Sequence, residues 1–247
     1  MTKVIAVVNQ KGGVGKSTTC VNLTAAINEK KKKILTIDLD PQGNTTSGMG
    51  VEKQISPNIY DVLVNGVDIK KAIVKTPYGD VIPANKSLSG AEIEMVSIEK
   101  REFLLKNALL SAEGYDIVLI DCPPSLGLLT LNALCASSGV LIPVQCEYYA
   151  LEGLSDLMYT LKMVKKSLNT GLEVEGVLLT MFDSRTNLSL QVANEVKRFF
   201  PGKVFSSVIP RNVRLSEAPS HGKPVLYYDR ASRGAESYIS LASEIIV

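Results

Sequence analysis

The chain begins with an apolar run that leads directly into a glycine-rich loop. Residues 3–8 (KVIAVV) have the composition of a buried strand, and residues 9–19 (NQKGGVGKSTT) follow at once, ahead of a stretch with helical periodicity. A loop of this kind between a strand and a helix points backbone N–H groups at phosphate oxygens, at the positive end of the helix dipole. The sequence therefore predicts a strand–loop–helix unit that binds phosphate.

The loop differs from the usual phosphate-binding pattern, G-x-x-x-x-G-K-[ST], at one position. Gly15, Lys16 and Ser17 match the end of the pattern, but Gln10 replaces its first glycine, and a second lysine, Lys11, follows. Lys16 is expected to reach the β- and γ-phosphates of a nucleotide, and Ser17 to bind Mg²⁺. The strand–loop–helix context indicates a nucleotide site despite Gln10.

Further apolar runs alternate with stretches of helical periodicity. The runs span 33–38, 80–84, 116–121, 139–144 and 175–182, and the helical stretches span 16–30, 90–113, 150–168 and 186–200. Near-continuous Val, Ile and Leu runs are typical of parallel strands buried on both faces. We therefore predict an α/β fold of the P-loop NTPase type, with a mainly parallel, twisted sheet and helices on both faces. No repeat or linker divides residues 1–247, so one domain is expected, without a helix-turn-helix domain before the loop.

Composition argues against several other classes of protein. The chain is 45% apolar and 21% charged, and no apolar run approaches the ~20 residues that span a membrane. A cytoplasmic protein without stable membrane insertion is expected. Cys20, Cys122, Cys135 and Cys146 show no C-x-x-C spacing, which predicts reduced thiols and neither a disulfide framework nor a zinc site. The single histidine, His221, lies in a Pro/Gly-rich turn, where a structural role is expected.

Two predicted strands end in acidic residues. The segment ILTIDLDPQGN places Asp38 at a strand end and Asp40 two residues later, and IVLIDCPPS places Asp121 at another strand end. A carboxylate there, beside a phosphate loop, usually holds Mg²⁺, often through water. Asp121 fits this metal-side position best, while Asp40 is the candidate for positioning or deprotonating the attacking water and for the metal shell. Asp38 is expected to brace the loop or the metal shell; simple loop capping is the alternative for Asp40 and Asp121.

Several longer segments carry a resemblance to a known family. KGGVGKST is the deviant Walker A motif, and DLDPQGN, DCPPSLG, PVQCEYYALEGL and IPRNVRLSEAPSHGKP accompany it. With these segments, the chain resembles the ParA/Soj family of chromosome-partitioning ATPases over nearly its full length. The resemblance implies ATP or ADP and Mg²⁺ as ligands, and a ParB-type centromere-binding protein as the partner that stimulates slow hydrolysis. It also implies a location on the bacterial nucleoid.

The resemblance implies an ATP-bound homodimer, because ATP joins two subunits face to face in that family. Lys11 would then reach the phosphates bound by the second subunit, with Lys16 and Asp40 as the other catalytic residues. A physical argument agrees, since two lysines of one loop would repel each other around one triphosphate. Gly12 lacks a Cβ and would let the two loops approach closely. The nucleotide-binding residues implied are Lys11, Gly12, Gly13, Val14, Gly15, Lys16, Ser17, Thr18, Glu147, Pro210 and Asn212.

Three of these residues have alternative explanations. Pro210 and Asn212, in the segment IPRN, would lie against the adenine, but a plain β-to-α turn also accounts for them. Glu147 would contact nucleotide across the dimer or, equally well, cap the helix that follows it.

Residues 176–235 carry nine lysines and arginines against four acidic residues, a local balance of +5. Such residues neutralise phosphates and give sequence-independent, salt-sensitive binding of nucleic acid. In the ParA/Soj family, an arginine in the context RTNL and another after IPRN bind duplex DNA without sequence preference, which implies Arg185 and Arg214 here. Weaker candidates are Lys197, Arg198, Arg230 and Arg233, and an ordinary solvated surface is the alternative.

Two other classes of protein compete with this interpretation. Membrane-associated ATPases like MinD end in a basic amphipathic helix. This chain has two glutamates and no lysine or arginine after Arg233, so a helix packed on the body is expected instead. A reductase with an iron–sulfur cluster between subunits needs thiolates at the interface. Cys122 and Cys146 lie in segments that match partitioning ATPases, so no cluster is expected.

Overall fold

A computed structural model describes residues 2–147 and 152–246, which fold around one seven-stranded sheet. The strands are β1 (Lys3–Val7), β2 (Ile34–Asp38), β3 (Val74–Thr76), β4 (Gly79–Ile82), β5 (Ile117–Asp121), β6 (Gly139–Gln145) and β7 (Glu173–Thr180). Their order across the sheet is β3-β4-β2-β5-β1-β6-β7, and neighbours are parallel except for β3 with β4. The predicted mainly parallel sheet is confirmed.

Helices connect the strands, because parallel neighbours need a crossover. Those in the described residues are α1 (Lys16–Glu29), α2 (Asn44–Gly48), α3 (Ile59–Leu63), α4 (Leu88–Glu94), α5 (Leu104–Leu109), α6 (Leu128–Ala136), α7 (Glu152–Ser167), α8 (Asn187–Phe199), α9 (Val213–Glu217), α10 (Val225–Tyr228) and α11 (Arg233–Ile246). None of them is long and apolar enough to cross a bilayer.

Alternate residues of the central strands pack into two separate cores. In β1, Ile5 and Val7 pack beneath α1 and α11, whereas Ala6 packs into the larger core on the opposite face, which includes residues of α3 to α8. The last helix, α11, buries Tyr238 and Leu241 and packs against α1, so the predicted docked tail helix is confirmed. The sheet therefore has helices on both faces, as predicted.

The structure differs from the sequence prediction in two helical regions. The stretch 90–113 is not one helix, because Lys100 adopts a left-handed backbone conformation (φ 54°) between α4 and α5. The helix α6 was not predicted, since its sequence LLTLNALCA is apolar on nearly every side and lacks an amphipathic period. The predicted helix 150–168 corresponds to α7, but residues 148–151 lie outside the described chain.

Candidate active site

The ends of adjacent strands bring the predicted site residues to one edge of the sheet. Asp121 at the end of β5 is paired with Asp38 at the end of β2 on one side and with Val7 at the end of β1 on the other. The loops that follow these strands therefore leave the sheet side by side, at the edge where α/β folds usually bind ligands. The phosphate loop, residues 8–15, is one of them.

Hydrogen bonds from two neighbouring segments fix the phosphate loop. Asn9 Nδ2 donates to the carbonyl oxygen of Pro143 in β6 at 2.7 Å. Thr180 Oγ1, at the end of β7, donates to the carbonyl oxygen of Val14 at 2.8 Å. The sheet thus sets the shape of the loop from both ends.

The loop turns into α1 through two glycines in the left-handed region. Gly13 and Gly15 have φ angles of 74° and 91°, a conformation that glycine adopts without strain. Lys16 follows as the first residue of α1, and its Nζ donates to the carbonyl oxygen of Lys11 at 3.1 Å. Burial lowers the pKa of Lys16, and the charge of Asp121 opposes this shift. The buried ammonium is therefore held between the loop and an acidic strand end.

Adjacent threonines of α2 bind the two buried carboxylates at the strand ends. Thr45 Oγ1 donates to Asp121 Oδ2 at 2.7 Å. Thr46 donates to Asp38 Oδ2 through both its backbone N–H and its hydroxyl, each at 2.7 Å. Asp38 also accepts from the backbone N–H of Asp40 at 3.1 Å, so it braces the loop as predicted. Burial raises the pKa of both Asp38 and Asp121.

One oxygen of Asp121 lacks a partner. Oδ1 is buried and makes no hydrogen bond within the described ranges. The Ser17 hydroxyl lies close enough to lower the pKa of Asp121, but it forms no hydrogen bond of good geometry with Oδ1. A buried carboxylate oxygen and a hydroxyl are donors that suit Mg²⁺, which usually takes its remaining ligands from water and substrate phosphates. The two side chains fit a Mg²⁺ site.

A cavity of about 430 Å³ lies in front of the loop. Lys16 and Ser17 line it on the loop side, and Asp40 and Lys223 line it from other segments. Asp40 is almost fully buried, and its Oδ1 accepts from the backbone N–H of Gln42 at 2.9 Å. The cavity thus combines a lysine-bearing glycine loop with a carboxylate, which suits phosphate binding and hydrolysis.

An adjoining cavity of about 550 Å³ is lined by Pro210 and Asn212. Gly15 and Thr18 line both cavities, so the two adjoin at the start of α1. Asn212 also caps α9, because its Oδ1 accepts from the backbone N–H of Arg214 at 2.9 Å. A nucleotide with its phosphates in the first cavity could place its base in the second.

Lys11 and Glu147 lie beside this site. A Cβ added at Gly153 of α7 would be 3.7 Å from Lys11 Cε, so the aliphatic part of Lys11 lies along the start of α7. Glu147 is exposed and forms an ion pair with Arg211 at 3.6 Å. The alternative that Glu147 caps the next helix concerns residues 148–151, which fall outside the described ranges.

The segments that carry Arg185 and Arg214, a loop and the start of α9, are adjacent. The Phe182 N–H donates to the carbonyl oxygen of Ile209 at 3.1 Å, and the Arg211 N–H donates to that of Phe182 at 3.2 Å. The structure therefore brings together the two segments expected to contact DNA.

Both arginines are paired with acidic side chains. Arg185 is 86% exposed and forms two hydrogen bonds with Asp183, at 2.9 and 2.7 Å, which lower the pKa of Asp183 to about 2. Arg214 pairs with Glu217 at 2.9 Å and with Asp229 at 3.1 Å. Both guanidinium groups are therefore accessible to solvent, and neighbouring carboxylates neutralise their charges.

The weaker DNA-binding candidates are spread over three segments, and the segment of Arg230 adjoins Arg214 through Asp229. Lys197 and Arg198 occupy the last turn of α8, a 13-residue helix that starts near Arg185 and is about 20 Å long. Arg230 pairs with Glu29 at the end of α1 remote from the phosphate loop, and Arg233 is the exposed first residue of α11. The six candidates therefore do not form one compact patch.

Sequence analysis did not single out Thr45, Thr46 or Thr180. The available signal was weak: a pair of small polar residues after DLDPQGN, and a threonine at the end of a predicted strand. Threonines at such positions are common in turns and caps, and only the strand register shows which carboxylate or carbonyl they meet.

Comparisons with known proteins agree on one family, and the similar relatives cover 99% of this chain. A family model described as an AAA domain matches residues 2–174. The sporulation initiation inhibitor protein Soj of Bacillus subtilis is 59% identical over 249 residues, covering 99% of this chain and 98% of that protein. The chromosome partitioning protein ParA of Myxococcus xanthus is 52% identical, covering 99% and 88%.

A similar solved structure is that of cobyrinic acid a,c-diamide synthase from Mycobacterium smegmatis with bound ADP and magnesium. Its TM-score is 0.87 at 38% identity, covering 98% of this chain and 93% of that chain. Taken with the full-length identities to Soj and ParA, the shared fold and motifs show that this chain belongs to the ParA/Soj family of chromosome-partitioning ATPases.

Proposed function

We propose that this chain is a Mg²⁺-dependent ATPase whose ATP-bound homodimer binds duplex DNA without sequence preference. Hydrolysis, stimulated by a ParB-type centromere-binding protein, releases the DNA, and the cycle drives segregation of a chromosome or plasmid. The observation that carries the proposal is the buried, unpartnered Oδ1 of Asp121 beside Ser17, next to a lysine-bearing glycine loop.

In this proposal, the residues that line the two adjoining cavities bind different parts of the nucleotide. Lys16 and the loop amides bind the phosphates, and Pro210 and Asn212 contact the adenine. Mg²⁺, when held by Ser17 and Asp121, supplies positive charge to the β- and γ-phosphates. Asp40 positions the attacking water from the edge of the same cavity. The ADP and magnesium in the mycobacterial structure support this assignment.

The tip of the loop supports a face-to-face dimer. A Cβ added at Gly12 would meet nothing within 4 Å, and Gly12 does not have a positive φ angle. The fold of this subunit therefore leaves room for a side chain at this position, and close approach of a second copy would account for the glycine. In such a dimer, Lys11 stabilises the γ-phosphate bound by the other subunit.

The DNA-binding part of the proposal rests on the adjacent segments of Arg185 and Arg214. A dimer presents this pair of segments twice, so ATP-controlled dimerisation raises DNA affinity through two linked contacts. Attachment to the nucleoid then follows the nucleotide state of the protein.

The test is fluorescence anisotropy of a labelled random-sequence duplex, titrated with protein in ATP, in ADP and without nucleotide, at two salt concentrations. Tight, salt-sensitive binding in ATP alone is the expected result. Equal binding in all three states would show that nucleotide does not control DNA binding and that the basic residues act only as ordinary surface charge. No binding in any state would refute the DNA-binding proposal while leaving the ATPase assignment to a separate phosphate-release assay.

A further inference from the structure

We propose that Thr45 is a positioning residue for the metal-binding carboxylate, because it holds Oδ2 of Asp121 and leaves Oδ1 for the Mg²⁺ position beside Ser17. The inference rests on the proposed Mg²⁺–ATP site and adds a residue of α2 to it. Thr45 itself is expected to contact neither the metal nor the nucleotide.

The first step is the freedom of the Asp121 side chain. The terminal torsion of an aspartate is soft and nearly two-fold, so an unrestrained carboxylate can exchange its two oxygens. The 2.7 Å hydrogen bond from Thr45 Oγ1 binds one particular oxygen, Oδ2. Thr45 is fully buried, so water does not compete for this bond. The hydroxyl therefore fixes the orientation of the carboxylate, so that one oxygen stays directed away from Thr45.

The second step is the rigidity of α2. The neighbouring Thr46 is held by Asp38 through two hydrogen bonds, and its Oγ1 accepts from the backbone N–H of Ala84 at 2.9 Å. Further along α2, Gly48 packs so closely on α1 that an added Cβ would lie 2.8 Å from Val21 Cγ2. Because α2 is anchored at Thr46 and Gly48, directly after Thr45, the carboxylate must adapt to the threonine.

The third step is the contrast between the two paired carboxylates. Both oxygens of Asp38 accept hydrogen bonds, Oδ1 from Asp40 and Oδ2 from Thr46. Asp121 accepts a hydrogen bond on Oδ2, whereas no residue in the described part of the chain, the nearby Ser17 included, donates one to Oδ1. Thr46 and Asp40 together give both oxygens of Asp38 a hydrogen-bond donor. Thr45 gives a donor only to Oδ2 of Asp121, which leaves Oδ1 able to bind a metal ion.

The experiment compares Thr45→Val, which keeps the shape and removes the hydroxyl, with Thr45→Ser, which restores it. The fluorescent analogue mant-ATP is titrated into each protein in EDTA, and MgCl₂ is then titrated at a fixed mant-ATP concentration. Loss of a hydrogen bond to a side chain that binds a metal typically weakens metal affinity about 10- to 100-fold. We expect Thr45→Val to raise the Mg²⁺ midpoint by about 10-fold or more, to leave affinity in EDTA unchanged, and to be rescued by Thr45→Ser.

Thr24→Val is the matched control. Thr24 is equally buried and bonds Cys20 and Thr36, so its loss tests the effect of removing a buried hydroxyl away from the carboxylates. An unchanged Mg²⁺ midpoint in Thr45→Val would overturn the inference, as would an equal loss of affinity with and without Mg²⁺. If Thr45→Val does not fold, Thr45→Ala set against Thr45→Ser makes the same comparison.

Failure of the wider proposal gives a different result. Wild-type protein that binds mant-ATP without any response to Mg²⁺ would refute the Mg²⁺ site and, with it, the role of Thr45. A normal Mg²⁺ response in the wild type, together with a normal response in Thr45→Val, would refute only the role of Thr45.

Discussion

The strand-end site and the basic surface hold their charges in opposite ways. At the strand ends, Lys16, Asp38 and Asp121 are buried and are held by a loop carbonyl or by adjacent threonines. On the surface, Arg185 and Arg214 are exposed and are balanced by acidic neighbours. A buried charge that loses its partner is costly, whereas an exposed ion pair contributes only about 0–1 kcal/mol.

This difference means that the buried groups keep their partners, whereas the exposed arginines can exchange theirs. An arginine paired with a surface carboxylate can turn to a DNA phosphate at little cost, because both states are solvated. The buried site cannot rearrange in this way without leaving polar groups unpaired. Substitutions should therefore have large effects at the strand ends and small, salt-dependent effects on the surface.

The largest effect is expected for Lys16→Ala, which removes the one buried ammonium of the phosphate loop. It should abolish nucleotide binding and nucleotide-dependent dimerisation, measured by mant-ATP titration and light scattering. Lys86→Ala, at an exposed lysine, is the control. An ATP dimer in Lys16→Ala would show that the loop amides suffice.

The next largest effect is expected for Asp40→Ala. A group that positions or deprotonates water contributes roughly 10²- to 10⁴-fold, so phosphate release should fall by about that factor while ATP binding persists. The variant should remain as an ATP dimer on DNA in the anisotropy assay. Normal turnover in Asp40→Ala would show that Asp40 is not catalytic. Asp156→Ala, which removes a carboxylate at an exposed position, is the matched control.

A smaller effect is expected for Arg185→Ala. DNA affinity should weaken, and the slope of log K against log salt should fall by about one for each lost phosphate contact. ATP hydrolysis without DNA should be unchanged, because Arg185 is exposed and outside both cavities. Arg198→Ala removes an equally exposed arginine at the other end of α8, so an identical loss there would show that the DNA surface extends along this helix.

The smallest effect is expected for Arg230→Ala, since the Arg230 guanidinium is already held by two hydrogen bonds to Glu29, the last residue of α1. Stability, measured by denaturant unfolding, should change little, because an exposed ion pair is solvated in both the folded and the unfolded state. A loss of DNA affinity equal to that of Arg185→Ala would contradict this prediction and show that Arg230 also contacts DNA.

The sequence predicted the sheet, the loop and the acidic strand ends well, because each depends on local signals. Apolar runs mark β1, β2 and β5, and the motif marks the start of α1. The partners of Asp38 and Asp121 could not be predicted, since Thr45 and Thr46 meet them only through the register of two strands and the placement of α2. The spread of the basic residues was likewise hidden, because a local charge balance does not show which end of a helix each residue occupies.

The packing of α1 against α11 links ligand binding to the lifetime of the protein. Lys16 opens α1, and the same helix supports α11 along its length, so unfolding of that pair also dismantles the phosphate loop. A ligand bound only by the folded state stabilises it in proportion to the logarithm of its concentration over Kd. Chains with nucleotide bound should therefore resist proteolysis longer than empty ones, and the cellular supply of ATP would influence how much intact protein persists.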